Sequence, residues 1–242
     1  MSEVIQKETM LSYISGAVES SAESVAIRAI NERGREALEQ TEFPTRKDEE
    51  WRFVDLKSIT KNSFVSVEDA NCASVGDISE HYLPEAINNR LVFVNGVYSE
   101  ELSSVQDLPN NVIVGNLADH ADNNSVKEYL GTITNYEDDV FAPFNDAAFK
   151  DGAFIYIPEE TVVKTPIHIL NLFTDAEKAF YATPRLLYIG EMFSKSTIIE
   201  EHIGLANNEY LNVPVTEFKM FTGSNVHHAR IQRDSKKASH VS

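Results

Sequence analysis

The side chains best suited to chemistry gather late in the chain, where Glu200, Glu201 and His202 are followed by His227, His228 and His240. Carboxylate oxygens and imidazole nitrogens ligate iron or zinc, and neighbouring β-strands can carry them to one point. Strand geometry restricts the set. Successive side chains alternate between faces, so His227 and His228 point opposite ways and at most one of them reaches a given site. Strand histidines serve more often as hydrogen-bonded core or surface residues, which leaves metal binding by His202, His227, His228 or His240 open. Cys72 sits in the polar run Asp69-Ala70-Asn71-Cys72-Ala73-Ser74 with no histidine close in sequence, the setting of an incidental thiol rather than a nucleophile or sulfur carrier. Asp138 and Asp139 resemble an acid pair, but adjacent residues rarely face one substrate. No Gly-rich loop ends in Gly-Lys-Ser or Gly-Lys-Thr, so ATP hydrolysis must come from another subunit. The sequence therefore assigns no catalytic, cofactor-binding or metal-ligating residue, and the chain alone is expected to be neither an enzyme nor the holder of a cofactor.

The elements that must position these residues change character along the chain. Residues before Gln40 read as two helices; in the second, Ser20 and Glu23 form a capping box, and Ile27, Ile30, Ala37 and Leu38 return on one face. Gly34 interrupts that face. From 64 to 131 the pattern is mixed. Its clearest signal is the hairpin Leu91 to Val94, Asn95-Gly96, Val97-Tyr98, because both central residues of a type I′ turn need positive φ. A short strand follows at Val112 to Val114, a helical turn at Ser125 to Leu130, and a short helix at Phe141 to Phe149 with Pro143 near its start. Beyond Asp151, strands are expected at Ala153 to Ile157, Ile167 to Phe173, Leu186 to Ile189, Thr197 to Ile203, Val215 to Phe221, Val226 to Gln232 and from Ser239. The fold class is mostly β with an N-terminal helical region: 1–150 helical and mixed α/β, 151–242 the β core. Periodicity alone leaves a sandwich, a barrel and a β-helix open.

Composition narrows the partners. Against 21 basic residues stand 38 acidic ones, a formal charge of -17 that repels phosphate backbones and anionic lipid head groups. Nucleic acid and membrane are therefore not expected partners. No apolar run approaches the ~20 residues of a membrane span, and the first residues lack a secretion pattern. With Cys72 alone no internal disulfide can form, and the cytoplasm is the natural compartment.

The run Phe43-Pro44-Thr45-Arg46-Lys47-Asp48-Glu49-Glu50-Trp51-Arg52-Phe53-Val54-Asp55-Leu56 holds the only tryptophan. Pro44, Thr45 and Asp48 read as a capped helix start, and Trp51 and Phe53 are expected to meet the body of the fold. This run resembles the N-terminal motif of the SufD branch of the SufB/SufD family of iron-sulfur cluster assembly proteins. Leu91 to Tyr98, Phe144-Asn145-Asp146-Ala147-Ala148-Phe149, Asp151 to Pro158, Thr165-Pro166-Ile167-His168-Ile169, Pro184 to Gly190 and Ile198 to Glu201 follow in the family's order. The Arg-Leu-Lys continuation typical of SufB is absent.

The resemblance implies a right-handed parallel β-helix core, here incomplete. It also implies a non-catalytic scaffold that pairs with a SufB-like subunit and works with the ATPase SufC, the iron-sulfur cluster being the product of the complex. Family members run longer, through further rungs and a SufC-binding C-terminal helical domain, whereas this chain stops near Ser239 to Ser242 in what reads as mid-strand. That marks it as a truncated form lacking the SufC surface, and the family's important late histidine would lie beyond Ser242. Two other readings stay open, a metal-dependent enzyme of cupin type and a carbohydrate-active β-helix. The first lacks the His-x-His and Glu pattern, the second an export signal.

Overall fold

The computed structural model describes residues 24–242 apart from 46, 55, 107, 137 and 138. The capping box expected at Ser20 and Glu23 lies outside the described residues. Among these, the α-helices are α1 (Val25–Gln40), α2 (Lys57–Lys61), α3 (Asn124–Tyr129) and α4 (Phe141–Ala148). The strands are β1 (Asn89–Val94), β2 (Val97–Tyr98), β3 (Ser104–Val105), β4 (Ile113–Asn116), β5 (Ala153–Ile157), β6 (Ile167–Phe173), β7 (Phe180–Ala182), β8 (Arg185–Gly190), β9 (Lys195–Gly204), β10 (Tyr210–Asn212), β11 (Val215–Met220), β12 (Asn225–Arg233) and β13 (Ser239–His240).

Helix α1 starts at the Ser24 hydroxyl, which accepts from Ala26 N at 3.2 Å, and buries Ile27, Ile30 and Leu38 as the 3.6-residue period requires. Gly34 is not a flaw in that face. A Cβ there would meet Ala147 N at 2.4 Å, so glycine lets α1 and α4 approach backbone to backbone. Asn31 locks the crossing by donating to the carbonyls of Asp146 (2.7 Å) and Phe149 (3.0 Å).

From β5 onward the chain visits three sheets in fixed rotation. Strands β5, β8 and β11 pair in parallel, as do β6, β9 and β12, and β7, β10 and β13. Each position thus meets its counterpart roughly 30 residues later, the spacing of a repeat that cannot bury its apolar face alone. On the opposite side β1 lies parallel to β6 and carries β2 and β3, while β4 runs antiparallel to β5. The protein is mostly β, in parallel and mixed sheets, none of which closes on itself. Residues expected in the helical and mixed region therefore share sheets with the later core. The hairpin turn has the expected geometry, with φ of 53° at Asn95 and 84° at Gly96.

Two expectations need correction. β7 and β10 were not legible, because three residues are too few to show a period. The Trp51 run keeps the expected bond of its Thr45-x-x-Asp48 box, the Asp48 carboxylate accepting from Thr45 N (2.6 Å) and Thr45 Oγ1 (3.0 Å), but the turn that follows is a short 3-10 turn over Glu49–Trp51 rather than an α-helix. Trp51 packs on Phe141 at 5.2 Å between ring centroids, as expected, but Phe53 is 91% exposed.

Candidate functional site

Register alone brings the late carboxylates and imidazoles together. Along one face of the β6, β9 and β12 sheet, Ile167, Ile198 and His228 fall in one row, Ile169, Glu200 and Arg230 in the next, and Asn171, His202 and Gln232 in a third. The inward face is therefore apolar on β6 except at Asn171, mixed on β9 and polar on β12. Alternation gives Glu200 and His202 the same face and sends Glu201 to the other.

A chain of side-chain contacts crosses this interior. His202 Nε2 donates to Glu200 Oε1 at 2.9 Å, and Glu200 Oε2 accepts from His228 Nε2 (2.9 Å) and Arg230 Nε (3.2 Å). The Asn212 amide nitrogen lies 3.1 Å from both His202 Nδ1 and His240 Nδ1. His240 Nδ1 also meets Asp234 Oδ2 at 2.8 Å, and Tyr210 OH donates to Asp234 Oδ1 at 2.8 Å. Beneath lies an aromatic stack, with Tyr210 4.6 Å from Phe173 and 5.6 Å from Phe180. Burial by itself would raise the Glu200 carboxyl, but hydrogen bonds from His202 and His228 and the charge of Arg230 hold it well below the ordinary carboxylate range. Asp234 is likewise pushed up by burial and brought below its ordinary value by His240 and Tyr210.

On the opposite face Glu201 meets buried His168 (3.2 Å) and forms an ion pair with Arg233 (2.6 Å). The structure thus gathers Glu200, His202, His228 and His240, and leaves His227 exposed and Glu201 on a different surface. The gathered groups bond mainly to one another, although His240 Nε2 is buried without a partner, and among the described residues no group of three or more His, Cys, Asp or Glu is arranged to hold a metal ion. Cys72 is half-buried beside an isolated bridge to Ala176, where burial raises its thiol above the ordinary value. Asp139 Oδ1 accepts from Phe141 N, the first amide of α4, at 2.8 Å from just ahead of the N-cap Val140, while Asp138 lies outside the described residues.

Sequence reasoning missed a second buried cluster. Arg185 donates to Asn145 Oδ1 (2.9 Å), to Asp146 Oδ1 and to Glu217 Oε2 (2.5 Å). Asp146 Oδ2 accepts from Arg33 at 2.8 Å and from the Tyr136 hydroxyl. Glu217 accepts from the amides of Gly131 (2.9 Å) and Ile133 (3.1 Å), and Asn145 donates to the carbonyls of Pro184 and Val213. Two arginines balance two carboxylates, and the cluster ties α1, α4 and the 131–136 loop to β8 and β11. Asn145, Asp146 and Arg185 lie in Phe144 to Phe149 and Pro184 to Gly190, runs whose polar residues sit among apolar ones, and that was the available signal; Arg33, Tyr136 and Glu217 lie elsewhere in the chain.

Against known proteins, residues 14–169 match a family model described as the SufBD protein N-terminal region. An iron-sulfur cluster assembly SufBD family protein of Synechocystis sp. is 34% identical over 210 residues, 82% of this chain and 46% of that protein. The chloroplastic protein ABCI7 of Arabidopsis thaliana is 25% identical over 233 residues, 92% of this chain and 47% of that protein. The iron-sulfur cluster assembly protein SufB of Plasmodium falciparum is 35% identical over 75 residues, 31% of this chain and 16% of that protein. The chain spans about half the length of the first two relatives.

Proposed function

This chain belongs to the SufBD family of iron-sulfur cluster assembly proteins, and on that premise we propose that it acts as a non-catalytic scaffold of the SufD type. In this reading it pairs with a SufB-like subunit and works with a SufC-like ATPase, and the iron-sulfur cluster is cargo of the complex rather than a cofactor of this chain. The observation that carries the SufD assignment is the run Pro44 to Leu56, with Trp51 and without the Arg-Leu-Lys continuation of SufB. The absence of a phosphate-binding loop supports an ATPase supplied in trans. The three-sheet rotation of β5 to β13 supports a right-handed parallel β-helix as its core. A single cysteine suits a reducing compartment such as the cytoplasm, and no helix of the described residues is long and apolar enough to cross a membrane.

Co-expression decides the matter. The full-length protein, tagged and produced with SufB-like and SufC-like subunits, should recover both, while alone it turns over neither ATP nor a glycan. Recovery of neither subunit, or substrate turnover by the pure metal-free protein, refutes the proposal.

A further inference from the structure

The tip of the β1–β2 hairpin holds the one Asn-Gly pair of the sequence, Asn95-Gly96. Asparagine followed by glycine is the pair most prone to lose ammonia, because no side chain on the glycine obstructs attack of its backbone nitrogen on the asparagine Cγ. Here both polar atoms of the Asn95 side chain are committed elsewhere. Its Nδ2 donates to Thr174 Oγ1 at 2.8 Å, and its Oδ1 accepts from Thr174 N at 2.9 Å. The Asn95 backbone N donates to Leu172 O at 2.7 Å, which carries the bonding of β1 to β6 one step past Val94. Thr174 is fixed in turn, its carbonyl accepting from Asn208 at 3.0 Å. Asn95 is 4% exposed and Thr174 3%, and the Gly96 backbone lies against Ala182 and Thr183. For the Gly96 nitrogen to reach Cγ, the Asn95 side chain must swing away from Thr174 over its own following peptide, losing both bonds, and the departing ammonia must meet water.

We propose that Asn95-Gly96 is a latent modification site, protected from deamidation only while the hairpin tip is docked on Thr174. In the open state the Gly96 nitrogen bonds to Asn95 Cγ, the Cγ–Nδ2 bond breaks, and ammonia leaves, the Gly96 proton ending through solvent on the departing nitrogen. Water then opens the cyclic imide at either carbonyl to give aspartate or isoaspartate. Both products lack the Nδ2 donor that Thr174 Oγ1 accepts from. Isoaspartate also inserts a methylene into the backbone between β1 and β2, where Asn95 and Gly96 hold φ of 53° and 84°. The tip then cannot redock as before, so an opening that is reversible by itself leaves a permanent mark on the chain.

Peptide mapping by mass spectrometry, with isoaspartate resolved from aspartate, measures conversion of residue 95 during mildly alkaline incubation. Folded protein should convert at least about tenfold more slowly than the same protein unfolded in urea, since a hydrogen-bonded site reacts only through its open fraction. Thr174→Val removes the hydroxyl and keeps the shape; it should raise the folded rate about fivefold, the effect of one lost hydrogen bond on that fraction. Thr174→Ser keeps the hydroxyl and should stay near wild type. Urea midpoints of the variants separate release of the tip from unfolding of the whole chain. A folded rate equal to the unfolded one overturns the proposal, and that comparison stands whether or not Thr174→Val folds. So does a Thr174→Val rate equal to wild type, or a rise fully accounted for by a lowered urea midpoint.

Discussion

Replacing Arg185 with methionine keeps much of the side chain's reach and apolar bulk but removes the guanidinium from the second buried cluster. The side chains of Asp146 and Glu217 that it serves are 0% and 1% exposed, so neither carboxylate can turn to water. Both retain partners: Asp146 keeps Arg33 and Tyr136, and Glu217 keeps the amides of Gly131 and Ile133. Breaking a buried pair by removing one member costs about 3–5 kcal/mol, and the surviving partners place this case near the lower end, about 3 kcal/mol. Glu217→Gln should cost only about 1–2 kcal/mol, because the amide oxygen still accepts from Gly131 N. In the double variant the neutral glutamine no longer leaves a charge stranded beside the methionine, so the combined loss should fall short of the sum by about 1 kcal/mol or more. Urea unfolding of the four proteins, with equal slopes, measures this cycle. A loss below about 1 kcal/mol for Arg185→Met, or strict additivity, would refute the claim that the cluster is coupled.

Gly34→Ala should destabilise by about 2–3 kcal/mol, since its Cβ would collide with Ala147 N; a midpoint equal to wild type would show that α1 and α4 separate freely. Glu200 sits below its ordinary value of 4.5, so it contributes stability above that pH which is lost as pH falls through its folded value; Glu200→Gln should flatten stability between about pH 5 and pH 2, read from urea midpoints. Trp51→Ala should cost about 2 kcal/mol through its packing on Phe141, whereas Phe53→Ser should leave the melting temperature unchanged; the reverse order would contradict the packing described. Cys72→Ser should preserve cluster assembly by the full-length protein with its partners, and loss of assembly at normal protein levels would assign the thiol a role in sulfur handling.

Elements whose information is local were legible. The Asn95-Gly96 turn, the α1 stripe and every strand of five or more residues after Asp151 announce themselves through positive φ or period. Glu200 and His202 could be placed on one face because they stand two positions apart, and the split of His227 from His228 followed from the same rule. What failed was information held in distant pairs. Nothing near Arg185 in sequence signals Asp146 or Glu217, and Asn212 joins His202 to His240 only after β10 and β13 align. Phe53 was misjudged because an aromatic beside a tryptophan reads as buried, while a 3-10 turn sends the two apart.

The rotation through three sheets also has a direction in time. β1 and β4 precede β5 to β13 in the chain and form the platform against which β5 and β6 settle, so as residues emerge from the ribosome each new strand finds its neighbour already made. Growth along the stack then resembles crystallisation on a seed more than a search among distant partners. A circularly permuted chain that delivers β1 to β4 last would reach the same contacts, but its first strands would wait with bare edges, and it should refold more slowly and aggregate more readily than the natural order.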